Sequence, residues 1–316
     1  MAINYTDWNN GIKNGTFYPL GYNDLPMYGT GDTRWLYKKI NNNIAYKNTS
    51  TSDYCLLDTA SLKGWENDNF TITVTESATD YSFYFPNMKG ELFFDVNDKI
   101  ANNLKIKAPQ LNSLAMGNSG GNWLTLDGAL DIDLKNAWTF TLNEGSSNLL
   151  KISGTNLKNI IFTGGNVETI EINCPNLETF NIHGGTFGDM SMNTNPNCII
   201  NMTWGTFTGR AFKGAYITHE NCSLSGGILC GFGGDFSKFT EEGEMIWIFM
   251  WVQMTIYALE DILEQLIATC PLKNETICYA CLCEGEDPNE LVSLKARYAA
   301  AGYTLIDQEE YFNMDI

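Results

Sequence analysis

The chain repeats itself at a short, fixed interval near its middle, and no other feature of the sequence restricts its fold as strongly. Residues 156–165 and 176–185 align position by position, and both segments end in a Gly-Gly pair. Each half of the repeat carries apolar residues at a spacing that fits a short strand entered by a turn. A fixed period of about 20 residues is typical of stacked coils that bury their inner faces against one another. We therefore predict a parallel β-solenoid.

Weaker copies of the repeat extend this solenoid in both directions. They lie at residues 110–117, 130–134, 138–142 and 199–204. The predicted fold class is accordingly mainly β, and the chain divides where the pattern changes. An N-terminal arm and β segment takes residues 1–90, the solenoid takes 91–240, and a small α/β cap takes 241–316.

The residues before the solenoid differ from it in composition and in pattern. Residues 1–50 are rich in Asn, Gly and Tyr and contain few periodic apolar positions, which favours an extended arm that packs on a partner. Strict alternation of apolar and polar residues begins at residues 70–75 and 81–85. This alternation predicts two strands of a half-buried antiparallel sheet.

After the solenoid the pattern becomes that of alternating strands and helices. The apolar run at 245–259 predicts a buried strand that leads into an amphipathic helix. Residues 276–283 predict a second strand, and residues 303–306 a third. Between them, Asp287 fits the N-cap of a second helix, which Gly302 closes. Such a cap covers the inner face of the last coil, which would otherwise be exposed.

Composition and charge disfavour several classes of function. The 316 residues carry a formal charge of −18 at pH 7, which argues against binding to nucleic-acid backbones and to anionic membranes. The longest apolar run is shorter than the ~20 residues of a spanning helix, so no membrane insertion is expected. The sequence opens without the segments of a signal peptide, and its nine cysteines are an odd number, which predicts folding in a reducing cytoplasm.

Cysteines near the C-terminus form the strongest metal-ligand pattern in the sequence. Cys278 and Cys281 have the spacing of a zinc-binding pair. Strand alternation, however, places Cys278 on one face and both Cys281 and Cys283 on the other. We therefore predict buried free thiols, with no metal and no cofactor.

Paired carboxylates raise the alternative of a β-helix enzyme that cleaves polysaccharides. Asp131 and Asp133 would share one face of a strand, and Glu168 and Glu171 are near neighbours in the solenoid. Glycoside cleavage needs two carboxyl groups ~5–9.5 Å apart, and neighbours on any acidic strand satisfy this separation. The pattern is therefore not specific, and we predict no catalytic residues and no enzyme.

An outward-facing row on the solenoid is the best candidate for a binding surface. Polar, small and aromatic side chains on a flat sheet bind sugars by stacking and by hydrogen bonds. We select Asn181, His183, Thr203 and Trp204 as candidate binding residues, with Trp123 and Trp138 as further stacking platforms. A solvated surface or an oligomer interface would explain the same row, which comprises Asn159, Ile161, Thr163, Thr179, Asn181, His183, Asn201, Thr203 and Gly205.

The repeat also resembles a known family. The pattern Leu157-x-x-Ile160-x-Phe162-x-x-Gly165-x-Val167 is similar to the leucine-rich repeat template, except that Gly stands where the family has Asn. Together with the order of the cap and its final Gly302-Tyr303-Thr304-Leu305, it looks most like the leucine-rich solenoids of phage virions and bacterial surfaces. A generic right-handed β-helix remains an open alternative.

This resemblance implies a structural protein of a phage virion, as a tail fibre, head fibre or decoration subunit. Such a protein is made in the host cytoplasm and released by lysis, is a homo-oligomer, and contacts other virion proteins, here through its N-terminal region. It contacts host glycans or surface proteins through many weak sites. The alternatives are a bacterial cell-surface leucine-rich adhesion protein and a polysaccharide-degrading β-helix enzyme.

Overall fold

The structure is a computed structural model, and its described residues are 34–40, 43–47, 54–56, 69–74, 78–84, 90–96, 100–117, 124–218, 220–239 and 246–313. The chain divides into two compact units, Met1–Leu157 and Lys158–Ile316. Most of the predicted arm lies outside the described residues.

Strands make up the described part of the first unit. They are β1 (Arg34–Ile40), β2 (Asn43–Lys47), β3 (Tyr54–Leu56), β4 (Asn69–Val74), β5 (Ala78–Tyr84), β6 (Glu91–Val96), β7 (Ile100–Lys107), β8 (Ser113–Gly117), β9 (Thr125–Asp133), β10 (Thr139–Leu142) and β11 (Ser146–Ser153). Within this unit the first sheet has the order β10-β8-β6-β4-β1-β2-β3 and the second has the order β11-β9-β7-β5.

Parallel pairing in the first unit already includes β1, β4 and β5. Asn69 of β4 lies opposite Glu91 of β6, and Tyr81 of β5 lies opposite Leu104 of β7, in parallel register. The prediction of an antiparallel sheet at residues 70–85 is therefore wrong. Alternation with a period of two reports which face of a strand is buried, and it carries no information on the direction of the neighbouring strand. Antiparallel pairing is found instead between β1, β2 and β3.

The second unit continues the alternation of strands and ends in helices. Its elements are β12 (Asn159–Phe162), β13 (Asn166–Cys174), β14 (Thr179–His183), β15 (Thr186–Thr194), β16 (Ile199–Thr203), β17 (Thr206–Ala211), β18 (Cys222–Ser225), β19 (Ile228–Phe232), β20 (Ile246–Met254), α1 (Ile256–Thr269), β21 (Thr276–Leu282), α2 (Pro288–Ala300), β22 (Thr304–Asp307) and α3 (Gln308–Phe312). Within this unit the first sheet has the order β18-β16-β14-β12 and the second has the order β22-β21-β20-β19-β17-β15-β13.

The strand register of the second unit shows that each 20-residue repeat forms one coil of the solenoid. Thr179 lies opposite Asn159 on one side and opposite Ile199 on the other, both in parallel register. Each coil contributes one strand to each sheet. The predicted mainly β fold with a parallel solenoid is confirmed.

Apolar side chains fill the space between the two sheets of the second unit. Residues Leu177, Phe180 and Ile182 of one repeat are fully buried. Phe187 is also fully buried, and its ring centroid lies 5.8 Å from that of Phe162 and 5.3 Å from that of Phe207. Rings at these separations gain favourable contacts beyond the burial of their apolar area. The repeat therefore supplies a continuous aromatic row inside the coils.

The predicted cap is confirmed in its elements and in its helix ends. Thr255 caps α1 by accepting a hydrogen bond from the Ala258 backbone N–H, and Asp287 caps α2. Gly302 follows α2 with a φ of +85°, in the left-handed region where glycine carries little strain. Strands β20, β21 and β22 add to the second sheet in parallel. Helix α1 packs on β19 of the same unit.

Candidate functional site

The outward side of the first sheet in the second unit carries uncharged polar side chains that bond to one another across strands. Asn181 and Asn201 lie opposite each other, and the Asn201 side-chain amide donates to the Asn181 Oδ1 at 2.9 Å. The Thr179 hydroxyl donates to the Asn159 Oδ1 in the same way. These contacts satisfy the polar groups of a half-buried face without any ionised side chain.

The four candidate binding residues lie at neighbouring positions of this sheet. Asn181 and His183 are on β14, Thr203 lies opposite His183 on β16, and Trp204 follows Thr203 directly. The side chain of His183 is exposed and that of Thr203 is half-buried. Gly205 was predicted on the outward row and is buried in the next turn instead. Of the other two platforms, Trp138 is 69% exposed in the first unit, and Trp123 lies outside the described residues.

Trp204 occupies a turn position that glycine takes in the neighbouring coils. Its φ is +61°, and the corresponding residues Gly164, Gly184 and Gly226 also have positive φ angles. The backbone N–H of Trp204 donates to the Ser225 carbonyl at 3.1 Å, so the turn is held by the next coil. The Trp204 side chain is 73% exposed. A bulky residue with this backbone conformation is a clear outlier, and such strain persists only where the surrounding structure holds it.

Trp251 repeats the same combination of exposure and backbone strain. Its φ is +64°, and its side chain is 65% exposed. The pairing of Ile228 with Gln253 aligns Trp251 with Gly226, so successive coils place Trp204, Gly226 and Trp251 side by side. The sequence prediction missed this residue, because it placed Trp251 in the buried strand with which the apolar run at 245–259 begins. That assignment is wrong at Trp251, where the register of β20 with β21 shifts and turns the side chain outward.

Together the two tryptophans enclose a cleft of about 310 Å³. Its lining residues are Trp204, Ser225, Gly226 and Trp251. A Cβ atom on Gly226 would lie 2.9 Å from the Trp204 ring, so the indole rests directly against this glycine. The Ser225 hydroxyl donates to the Met202 carbonyl at 3.4 Å, and a hydroxyl oxygen keeps acceptor capacity when it donates. We name this feature, formed by these four residues, the tryptophan cleft.

The carboxylates considered for polysaccharide cleavage have other contacts in the structure. Asp131 lies opposite Lys105 and accepts a hydrogen bond from its Nζ at 2.6 Å, and Asp133 lies 3.4 Å from the Lys107 Nζ. These are cross-strand ion pairs on the exposed face of the first unit, where one pair contributes roughly 0–1 kcal/mol. Glu168 and Glu171 are both exposed on β13.

The prediction of buried thiols is wrong for Cys281, because β21 is buried at residues 277–279 and becomes exposed towards its end. Cys278 is buried, and Cys281, three residues further on, is exposed. Burial raises the pKa of the Cys278 thiol to about 11, and burial likewise raises the pKa of the Cys283 thiol to about 11. Within the described ranges, no group of three His, Cys, Asp or Glu residues is placed to hold a metal ion.

Comparisons with known proteins place the chain in no family. No protein-family model, no curated protein and no solved structure matches it significantly. No helix in the described part of the chain is long and apolar enough to cross a membrane.

Proposed function

We propose that this chain is a structural protein of a phage virion, a tail fibre, head fibre or decoration subunit that contacts the host surface. Its solenoid would belong to the leucine-rich-repeat-like class that the sequence resembles. The observation that carries the proposal is the outward sheet of the second unit, where the uncharged ladder of Asn181 and Asn201 leads to the tryptophan cleft. Such a surface suits reversible contact with another molecule more than reaction chemistry.

Many copies are central to this function. A single cleft offers few contacts, and several copies on one particle turn weak contacts into firm adsorption. We therefore expect a homo-oligomer that joins other virion proteins through its N-terminal region. Its charge of −18 keeps nucleic acid outside the expected partners.

Immunogold labelling tests the proposed location directly. Antibodies against the purified protein are expected to label phage particles released by lysis from the cells that make it. Label confined to the surface of bacterial cells would favour the adhesion-protein alternative and contradict the virion proposal. Label on neither particles nor cell surfaces would contradict both.

A deletion tests the proposed attachment region. A chain without residues 1–33 lacks only residues before the first described strand, β1. We expect it to remain folded, as shown by cooperative thermal unfolding, and to be missing from purified particles. Normal incorporation of this shortened chain would show that attachment lies elsewhere.

A further inference from the structure

We propose that the tryptophan cleft binds one uncharged pyranose ring of a host-surface polysaccharide. Its biological meaning rests on the adhesion role proposed above, and the binding itself is tested on the isolated protein. The inference joins three observations: two exposed indoles at matched coil positions, backbone strain at both, and an uncharged cleft between them.

The spacing of the coils sets the distance between the two indoles. Trp204, in the turn after β16, and Trp251, within β20, occupy equivalent coil positions with Gly226 between them, so their backbones are two strand spacings apart. Neighbouring strands are ~4.8 Å apart, which separates the two backbone positions by about 9.6 Å. Gly226 has no side chain, so the Trp204 ring lies against it and covers part of this interval, and the cleft is the space left between that ring and Trp251.

The backbone conformation argues that the tryptophans are retained for something other than folding. The turn requires a positive φ, which glycine adopts freely and other residues adopt only with strain. Gly184 and Gly226 meet this requirement in the adjacent coils, and at Trp204 and Trp251 a large ring replaces glycine and remains mostly in solvent. An exposed ring gains little from burial, so folding alone does not explain either residue. Positive φ angles also occur at Glu144, Phe212 and Asn274, so the strain indicates a ligand site only together with the exposed rings and the cleft.

The chemistry of the lining selects a neutral sugar. Indole faces pack against apolar C–H surfaces and leave the polar groups of a ligand at the rim, where Ser225 supplies a hydroxyl. None of the four lining residues is ionised, and the chain carries a charge of −18, which repels acidic sugars. The volume of about 310 Å³ lies at the lower end of ligand pockets and suits one ring rather than a chain of them.

A second copy of this chain is the main competing occupant. A specific protein interface takes about 20–30 residues from each partner, so a second copy would have to cover the neighbouring outward row as well as the four residues of the cleft. We therefore assign the cleft to a small ligand, and the test below includes the oligomeric state so that the competing occupant is detected.

Saturation-transfer NMR on the purified full chain tests the assignment. The probes are the methyl glycosides of glucose, galactose, mannose and N-acetylglucosamine, with methyl glucuronide as the acidic comparison. We expect saturation transfer to the ring protons of at least one neutral glycoside, with a dissociation constant of roughly 1 mM for so small a ligand. Transfer to none of the neutral probes, or equal transfer to the glucuronide, would overturn the proposal.

Matched variants locate the binding. Trp204→Gly and Trp251→Gly each place the residue of the neighbouring coils at the strained position, and each should weaken binding roughly 10-fold or more. Trp138→Ala removes an indole that is similarly exposed in the first unit and should leave binding unchanged. Unchanged binding in both glycine variants would refute the site. A change in oligomeric state in either variant, measured by light scattering, would assign the cleft to a second copy instead.

The test of sugar binding is independent of the test of the virion proposal. Sugar binding by the isolated protein does not require a phage particle, and incorporation into particles does not require sugar binding. If the isolated protein binds sugar but antibodies do not label particles, the sugar site stands and the virion role is contradicted. If antibodies label particles but the protein binds no sugar, the virion role stands and the sugar site is contradicted.

Discussion

The turn at Trp204 predicts an unusual order of stability for two substitutions. In an ordinary strand, a protein with glycine at a given position is less stable than one with alanine there by roughly 0.5–1 kcal/mol, because glycine loses more conformational freedom on folding. At residue 204 the backbone has a φ of +61°, and alanine keeps the Cβ atom that makes this conformation unfavourable. We therefore expect Trp204→Gly to be more stable than Trp204→Ala.

The expected difference in the free energy of unfolding follows from the contributions that differ between the glycine and the alanine variant. Both lose the same indole contacts, so the contribution from the buried part of the Trp204 side chain, which is 73% exposed, cancels between them. Relief of the left-handed strain favours glycine by roughly 1–2 kcal/mol. The entropy of the unfolded chain opposes it by about 0.4–1 kcal/mol. The difference in the free energy of unfolding should therefore be about 0–1.6 kcal/mol in favour of glycine, with a central value of about 0.8 kcal/mol.

Urea unfolding of both variants, followed by circular dichroism, measures this difference as a shift of the midpoint. The same pair of substitutions at Glu171, an exposed residue in strand β13, provides the control. At residue 171 the alanine variant should be more stable than the glycine variant, as in an ordinary strand. An alanine variant at residue 204 that is more stable than the glycine variant, as expected at Glu171, would refute the claim that the turn is strained by its side chain.

Three further predictions concern packing and thiol chemistry. Gly188→Ala should destabilise the second unit strongly, because the added Cβ would lie 2.0 Å from the Glu168 carbonyl oxygen; thermal unfolding measures the loss. Asp261→Ala should lower the free energy of unfolding by about 1–3 kcal/mol. The carboxylate of Asp261, in α1, accepts a hydrogen bond from the Phe232 backbone N–H at 3.0 Å, and alanine removes this acceptor. Cys281→Ser should remove one fast-reacting thiol from the native protein in a titration with a disulfide reagent, because Cys281 is exposed.

Each of these predictions has its own control or contradicting outcome. Glu264→Ala removes an exposed carboxylate of the same helix and should have little effect on stability; an equal loss in both variants would contradict the role of Asp261. Cys198→Ser should leave the number of fast-reacting thiols in the same titration unchanged, because burial raises the pKa of the Cys198 thiol to about 12. For Gly188, a stability equal to that of the unchanged chain would mean that β13 and β15 are further apart than their register implies.

The sequence predicted those parts of the fold that repeat or that have local signals. The matching Gly-Gly pairs at 164–165 and 184–185 were sufficient for the parallel coils, and Asp287 and Gly302 were sufficient for the ends of α2. Strand direction at residues 70–85 was not predictable, because alternation is the same in parallel and antiparallel sheets.

The candidate site was predictable only in part. Trp204 stands where the repeat has glycine, and this departure is readable from the sequence alone. Trp251 lies in an apolar run without a Gly-Gly marker, and only the strand register aligns it with Gly226. The exposure of a tryptophan in such a run depends on the irregularity of β20 between Phe249 and Gln253, for which the sequence contains no local signal.

The coil is also a unit in which the width of a binding site can change. Trp204 and Trp251 are separated by one glycine-bearing coil, and the strand register fixes that separation. Duplication of a coil between them would widen the cleft by one strand spacing of ~4.8 Å, and deletion would narrow it by the same step. Ligand size in such a scaffold would therefore evolve in discrete increments, through gain or loss of whole repeats rather than through gradual reshaping of loops.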